Sequence, residues 1–441
     1  RAAACAREVE LNRRLAPDVY LGVSPVLEGD AVADHMIVMR RMPSARRLSY
    51  LVTTDERDEV VRQVARAIAV FHSSLPPDER AARNATCDAM RRLWSSNFDE
   101  MRGFAGRLLD EHDLRKAERL AMAYLDGRAP LFRKRIESGF ARDGHGDLLA
   151  DDIFCLDDGP RILDCLAFDD DLRVGDVLLD VAFLAMDLER LAGSATAEAF
   201  LEHYVELSGE HHPRSLTHHY VAYRALVRCK VNCMRAEQGD DRAAAEATKH
   251  LGIVLAHLRA GRPRLVLVGG APGTGKTTTA TEISQRCGLV LLASDELRKD
   301  LAGIPHTEHA FAELGRGIYS PSMTERTYDE LVRRAGEVLA FGESVVLDAS
   351  WHSAAMRERA RRIAAEVNAD IVELQCVLPV SVAAERIERR LREETSYSDA
   401  TPSIARALAS ALDPWPESIE LDTHRSPEEV AAHAASAIGP V

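Results

Sequence analysis

Residues 270–277 read GAPGTGKT, which fits the spacing G-x-x-x-x-G-K-[ST] between an apolar run and a helix-forming run. Gly270, Gly273 and Gly275 let the backbone curl so that successive N–H groups turn inward, with Pro272, Thr274 and Thr278 completing the loop. Such a concavity holds an anion, and the helix beginning near Lys276 adds the positive end of its dipole. Lys276 is placed to reach the β- and γ-phosphates of a nucleotide and the Thr277 hydroxyl to ligate magnesium, so ATP and Mg2+ are the expected cofactors. Lysine is scarce here, because 50 of the 56 basic residues are arginine, which makes a lysine in this register informative.

Two apolar runs beyond the loop end in aspartate, LLASDELR with Asp295 and VVLDAS with Asp348. Ligands of an open parallel sheet sit at the carboxyl ends of its strands. Asp348 suits a carboxylate at magnesium or its water shell, and Asp295 a group that orients or deprotonates an acceptor hydroxyl, with Arg298 available to an anionic substrate. Either aspartate could instead cap the next helix. Arg386, Arg389 and Arg390 share one helix face and could close over transferring phosphates, although Glu385, Glu388 and Glu393 would equally make that face a solvated ionic one. Arg357 is a weaker candidate of the same kind.

A second constellation lies far upstream. GHGDLLADDI carries His145, Asp147 and Asp152, and RILDC adds Asp164 beyond a short hairpin. Phosphotransfer loops use such a set, with one aspartate taking the acceptor proton and two further groups holding magnesium. Asp147 is thus a second catalytic candidate, Asp152 and Asp164 are metal candidates, and His145 supports the loop.

The elements that must position these residues change character along the chain. Up to about residue 140 the pattern is mainly helical, with apolar positions at three and four spacing in DERDEVVRQVARAIAVFHSSL and extended candidates in VSPVL and HMIVMRRM. Residues 145–165 read as loop, strand, turn and strand, and helices follow from about 176 to 258. After Gly261 and Pro263, apolar strands alternate with helices to the end, the pattern of a parallel sheet covered on both faces. The expected domains are 1–258, α+β and mainly helical, and 264–441, a doubly wound α/β sheet, joined closely enough to pack on one another.

Composition narrows the classes further. The 441 residues are 46% hydrophobic and 29% charged, with a formal charge of −14. That acidity counts against a general nucleic-acid binder, which needs a basic surface, and leaves a small-molecule acceptor. No run approaches the roughly 18 apolar residues of a membrane helix, so the cytoplasm is the expected location. The eight cysteines form no CxxC pair and are expected to be reduced. The paired histidines of EHHPRSLTHHY have no metal-ligand spacing and are expected on a surface loop.

Residues 264–441 resemble the small-molecule P-loop kinases, the group of gluconate kinases, adenylate-type kinases and zeta toxins. The resemblance rests on GAPGTGKT, SDELR and VVLDASW…R, and it implies five parallel strands with an arginine-bearing lid. Residues 1–258 resemble, more loosely, the aminoglycoside phosphotransferases. That likeness implies a hinge at HMIVMRRM, a helix glutamate at Glu8 or Glu10, and a loop-bracing role for Asp180. Two departures stand out. The family usually has asparagine where Asp152 stands, and no lysine precedes Lys116 to pair with the phosphates. The expectation is that the sequence starts partway through the natural chain, with an incomplete small lobe. Together the two halves imply an ATP-dependent phosphotransferase acting mainly through residues 264–441. The alternative is a regulatory ATPase with a non-catalytic sensor in front.

Overall fold

The computed structural model describes residues 1–305, 317–393 and 412–439. The chain divides into two compact units, the first drawn from Arg1–Met122, Ala129–His212 and Leu216–Leu258, the second built on Arg259–Val441.

In the first unit a helix, Ala2–Asn12, precedes an antiparallel hairpin, β1 (Tyr20–Glu28) and β2 (Ala31–Met39). The three-and-four spacing of the next apolar run produces the helix Arg57–Ser74, which buries Val60, Val64, Ile68 and Phe71 on one face. Two short ribbons then frame the GHGDLLADDI loop. β3 (Ala141–Asp143) pairs antiparallel with β6 (Val174–Asp176), and β4 (Ile153–Leu156) pairs with β5 (Gly159–Ile162). The register Ile153↔Ile162 sets Asp152 beside Leu163, whose N–H donates to the Asp152 carbonyl at 3.0 Å. Further helices complete the unit, among them Cys87–Met101, Val177–Ala192, Ser194–Ser208, Arg214–Glu237 and Ala243–Ala260.

The second unit is a five-stranded, wholly parallel sheet of β7 (Arg264–Gly269), β8 (Val290–Ala293), β9 (Val345–Asp348), β10 (Asp370–Val377) and β11 (Ile419–Asp422). Their order is β11-β10-β7-β9-β8. Every residue of β7 is buried, because Leu265 and Leu267 face one core with Leu347 and Trp351, while Val266 and Val268 face another with Val346 and Leu374. This explains a continuous rather than alternating apolar run. β7 leads to β8 on one side of the sheet and β10 leads to β11 on the other, so the segments after β7 and β10 diverge and open a crevice at the carboxyl edge. Pairing of Val268 and Ala293 with Asp348 levels the strand ends there.

Candidate functional site

The loop after β7 has a backbone that only glycine adopts at ease. Gly270, Gly273 and Gly275 have φ of 132°, 84° and 90°. A Cβ on Gly270 would lie 2.5 Å from the Cys376 carbonyl oxygen, and one on Gly273 2.6 Å from that of Ala383. The helix Lys276–Cys287 starts at Gly275 with no side-chain cap, whereas Ser426 and Glu429 form a capping box on the terminal helix Pro427–Ile438. Its first-turn N–H groups are therefore available to an anion. Within the loop Thr274 donates to the Ala271 carbonyl at 2.8 Å, and the Lys276 ammonium donates to the same oxygen at 3.1 Å. Pro272 is half-buried and Thr278 is exposed.

Beneath the loop, the Thr277 hydroxyl donates to Asp348 Oδ2 at 2.6 Å. Asp348 ends β9 and is only 7% exposed. Burial pushes its carboxyl above the usual range, the Lys276 charge and the Thr277 hydrogen bond pull it back, and Asp295 and Glu296 add to the rise. Neither aspartate is a helix cap. The helix after β9 is capped at Ser353, and Asp295 lies exposed inside the first turn of Ser294–Ala302, after Ala293. Across the loop, Gly273, Gly275, Thr278, Arg386, Arg389, Thr423 and Arg425 line a cleft of ≈300 Å³. Arg386 donates to the Thr423 carbonyl at 2.9 Å and stays beside Gly275. The Arg390 side chain lies outside the described residues.

Arg298 is 6% exposed, bonded at 3.1 Å to the Ile318 carbonyl and to the Thr324 hydroxyl, and stacked 4.9 Å over the Tyr319 ring. Its Nε has no partner, and no carboxylate lies within ion-pair reach among the described residues. A polar chain without any precedent in the motif reading runs nearby. Tyr328 meets Ser350 at 2.9 Å, and Ser350 meets His352 Nδ1 at 2.9 Å. The Tyr328 oxygen also accepts from the N–H of Trp351, a residue held at φ 48°.

Arg357 corrects an expectation. It is 1% exposed, and its terminal nitrogens donate to the carbonyls of Trp351 at 2.7 Å and Pro414 at 2.6 Å, over the Trp415 ring. An arginine with both forks spent on backbone braces the segment after β9 rather than meeting phosphates. Arg357→Met should lower the melting temperature, since the buried Trp351 carbonyl loses its donor at about 1–3 kcal/mol and the part-buried Pro414 carbonyl loses its own for less, while kcat stays within about threefold. Calorimetry alongside an ATP-turnover assay checks both halves.

In the first unit the loop is braced from below. Asp180, 4% exposed, accepts from the N–H of His145 at 2.5 Å and of Gly146 at 2.6 Å, and from His72 Nε2 at 3.3 Å. His72 Nδ1 in turn meets the Tyr204 hydroxyl at 2.9 Å. A Cβ on Gly144 would come within 2.3 Å of Asp180 Oδ2, so the glycine permits the close approach. Burial raises the Asp180 carboxyl, but the hydrogen bonds from His72 and the His145 N–H, with the charge that His72 and His145 carry once protonated in acid, outweigh it and hold the carboxyl far below the ordinary range. Stability from Asp180 is therefore present above the unfolded pKa and lost as pH falls through the folded one. Asp180→Asn should destabilise this unit by about 3–5 kcal/mol near neutral pH. The midpoint of its denaturant transition is the measurement, and the gap from wild type should shrink in acid.

Asp147, Asp152 and Asp164 are brought into one neighbourhood, where Asp164 bears on Asp147 and both bear on Asp152. Burial and then the charges of Asp164, Asp147 and Asp151 push Asp152 up to about 6. Asp164 is exposed, at φ 62°, and its N–H donates to the Tyr20 hydroxyl at 3.2 Å. Glu8 faces this group, its carboxyl raised by burial and by Asp164, whereas Glu10 is exposed and pairs with Arg7 at 3.1 Å. Glu8, Tyr20, Met39–Ser44, Arg47, Asp152 and Asp164 line a cleft of ≈900 Å³. Burial holds the His145 imidazole down at about 4, so it stays neutral.

Two supports here escaped the motif reading. Asp187 accepts from the Ala150 N–H at 3.0 Å, and Arg14 donates to the carbonyls of Asp143 at 3.0 Å and Gly144 at 2.6 Å. Asp187 had a legible signal, since it stands two helical turns after Asp180 on the same face; Arg14 had none. The histidines expected on a surface loop are partly interior. His218 and His219 sit in the helix Arg214–Glu237, and buried His219 accepts from the Trp94 indole at 2.9 Å. All eight cysteines are free. Among the described residues no helix is long and apolar enough to cross a membrane.

Comparison with known proteins agrees with this division. Residues 1–216 match the model of the phosphotransferase enzyme family, and residues 265–414 match that of an AAA domain. Among solved structures the chain is similar to a sugar kinase from Janibacter, at 21% identity over 40% of this chain and 96% of that one, with a TM-score of 0.32. It is also similar to a gluconokinase from Sinorhizobium meliloti, at 18% identity over 40% and 91%, with a TM-score of 0.30. A Mycobacterium tuberculosis APS kinase in complex with AMPPNP and APS is similar at 21% over 40% and 98%, with a TM-score of 0.31.

The class defined by the phosphotransferase domain and the P-loop sheet is that of a kinase-type phosphotransferase enzyme. Uncharacterized proteins of Mycobacterium tuberculosis and Mycobacterium bovis are 40% identical over 428 residues, covering 95% of this chain and 84% of theirs. The chain belongs to their family.

Proposed function

We propose that the protein is an ATP- and magnesium-dependent kinase that phosphorylates a hydroxyl of a small metabolite, with the principal chemistry in the second unit. The observation that carries this reading is the Thr277–Asp348 contact of 2.6 Å beneath an uncapped helix start and a glycine-built loop. A hydroxyl and a carboxylate at that spacing are hard oxygen donors of the kind magnesium takes. When bound there, magnesium would neutralise charge on the β- and γ-phosphates.

The remaining roles belong to the chain's own residues. Lys276 leaves the Ala271 carbonyl for the phosphates, and Arg386, with Arg390 on the same helix, stabilises charge that builds up on the moving phosphoryl group. Asp295 takes the acceptor proton as the acceptor oxygen bonds to the γ-phosphorus. The bond from that phosphorus to the β–γ bridging oxygen breaks, and ADP leaves with the electron pair. Arg298, buried with no counter-ion among the described residues, favours an acceptor that carries negative charge. The acidic chain disfavours nucleic acid in that place, and the cytoplasm suits such an enzyme.

ATP consumption with and without a panel of small alcohols tests this. Turnover that never depends on an acceptor would instead favour a regulatory ATPase. A second reading, phosphotransfer by the first unit, draws support from the gathering of Glu8, Asp147, Asp152 and Asp164 over a loop fixed by Asp180. In it Asp147 takes the acceptor proton, and Asp152 and Asp164 supply oxygen donors for magnesium.

A further inference from the structure

Ser350, Trp351 and His352 follow β9 and Ala349, and the stretch is fastened to the phosphate loop, since the Gly270 N–H donates to the Ser350 carbonyl at 3.2 Å. Trp351 is buried in the left-handed region, at φ 48°, a conformation that a bulky residue keeps only where its surroundings impose it. Here the Trp351 N–H donates to the Tyr328 oxygen at 3.2 Å, and the Trp351 carbonyl accepts from Arg357 at 2.7 Å. The turn sets Ser350 Oγ 2.9 Å from His352 Nδ1 and 2.9 Å from the Tyr328 hydroxyl, which comes from the helix Pro321–Ala340.

Counting protons along this chain fixes the imidazole tautomer. The buried Tyr328 oxygen already accepts from Trp351, so its own proton needs an acceptor, and among the described residues that is Ser350 Oγ. The Ser350 proton then goes to His352 Nδ1, which leaves the imidazole hydrogen on Nε2. Burial, with the charges of Arg298 and Arg357, outweighs Asp413 and holds the imidazole below its ordinary range, so the ring is neutral at neutral pH. Satisfying Tyr328 accounts for Ser350. It does not account for a half-buried histidine whose Nε2 has no partner among the described residues. Arg298 belongs to the same surroundings. It donates to Thr324 at 3.1 Å, one turn before Tyr328 on one helix face, and the Tyr328 and His352 rings lie 6.4 Å apart. The Arg298 Nε is itself buried without a partner among the described residues.

We propose that His352 is a specificity-determining residue of the P-loop site, its Nε2–H donating to an oxygen of an anionic acceptor whose charge Arg298 meets. Tyr328 and Ser350 are positioning residues that hold the tautomer. The inference rests on the reading of this crevice as the acceptor site of a kinase. His352 takes no proton in the transfer, because Nδ1 is occupied by Ser350 and Nε2 already carries hydrogen, so that role stays with Asp295. An alcohol bearing a carboxylate or phosphate offers oxygens to both donors, since the guanidinium edge matches either group. An uncharged alcohol leaves the Arg298 fork unmet.

Two measurements on the full chain test this, with thermal melts showing that each variant is folded. Imidazole NMR on protein with isotope-labelled histidine, His352 being identified by the signal lost in His352→Gln, should show the neutral ring with its hydrogen on Nε2. A hydrogen on Nδ1 would overturn the proposal. Equilibrium dialysis then compares glycerate, glycerol 3-phosphate and glycerol, with ADP and magnesium filling the phosphate loop. One of the two anions should be held roughly tenfold or more tighter than glycerol, and which one shows the headgroup that fits. His352→Leu should weaken that binding by about tenfold, whereas His352→Gln, whose amide N–H replaces the Nε2–H, should weaken it by less than about threefold. Neither anion preferred over glycerol, or binding indifferent to His352→Leu, would sink the proposal. ATP turnover with the same alcohols is followed in parallel, where His352→Leu should raise KM more than it lowers kcat. His352-dependent binding without any acceptor-dependent turnover would keep the pocket and remove the kinase reading. Acceptor-dependent turnover indifferent to His352→Leu would keep the kinase reading and remove the role of His352.

Discussion

Lys276→Ala should lower acceptor-dependent ATP turnover by roughly 10²–10³-fold, the usual effect of deleting one cation or donor that meets transition-state charge. The fold should not suffer. Among the described residues the Lys276 ammonium makes a single hydrogen bond, to the Ala271 carbonyl at 3.1 Å, and that oxygen keeps a second donor in Thr274. The melting temperature in the absence of nucleotide should therefore fall only slightly, by the charge that Lys276 sets against buried Asp348, while the stabilisation that added ATP confers on the wild type should shrink. Steady-state kinetics and melts with and without ATP give both readouts. The opposite outcome, turnover intact in Lys276→Ala and abolished in Asp147→Asn, would transfer the principal chemistry to the first unit.

Asp348→Asn should move activity and stability in opposite directions. Its carboxyl is buried, with a folded pKa raised above the unfolded value. A raised acid binds its proton more tightly in the native state, so stability falls as pH rises from the ordinary carboxylate range through the folded pKa. At neutral pH the buried charge is a burden on the ligand-free fold. Asparagine removes it and still offers a side-chain oxygen to the Thr277 hydroxyl. The variant should melt above wild type at neutral pH and converge with it in acid, yet lose turnover by about 10²-fold or more with the carboxylate proposed to hold magnesium. Added magnesium with nucleotide should stabilise the wild type and leave Asp348→Asn nearly unmoved. A variant that melts lower in the ligand-free state would show that Asp348 is held for structure.

Legibility of the site followed distance along the chain. GAPGTGKT was readable because eight consecutive residues contain the whole device: glycines at the positive-φ positions and a helix start whose N–H groups are left open. Asp348 was readable as a strand end, since continuous apolar runs announce a buried parallel sheet, whereas Asp295 falls just past β8 in the first turn of the next helix. Arg357 was misread for a related reason. Its position after VVLDASW matched a pattern, but whether an arginine turns toward phosphates or into the core depends on Trp351, Pro414 and Trp415, which sequence spacing does not bring together. The polar chain of Tyr328, Ser350 and His352 joins residues from a helix and from the segment after β9, with no motif to mark it.

In the first unit, Asp147, Asp152 and Asp164 stood out by spacing across a hairpin, whose register then seated Asp152 against Leu163. His72 and Arg14 did not stand out, because each lies far along the chain from the loop it supports. By itself the sequence determined the local devices: a phosphate cradle, a helix dipole, apolar runs that must be covered on both faces. Tertiary structure alone decided that Thr277 meets Asp348, through the parallel register of β7 and β9. Backbone propensity acts over a few residues, whereas burial of charge and the pairing of distant donors are settled only when the layers pack.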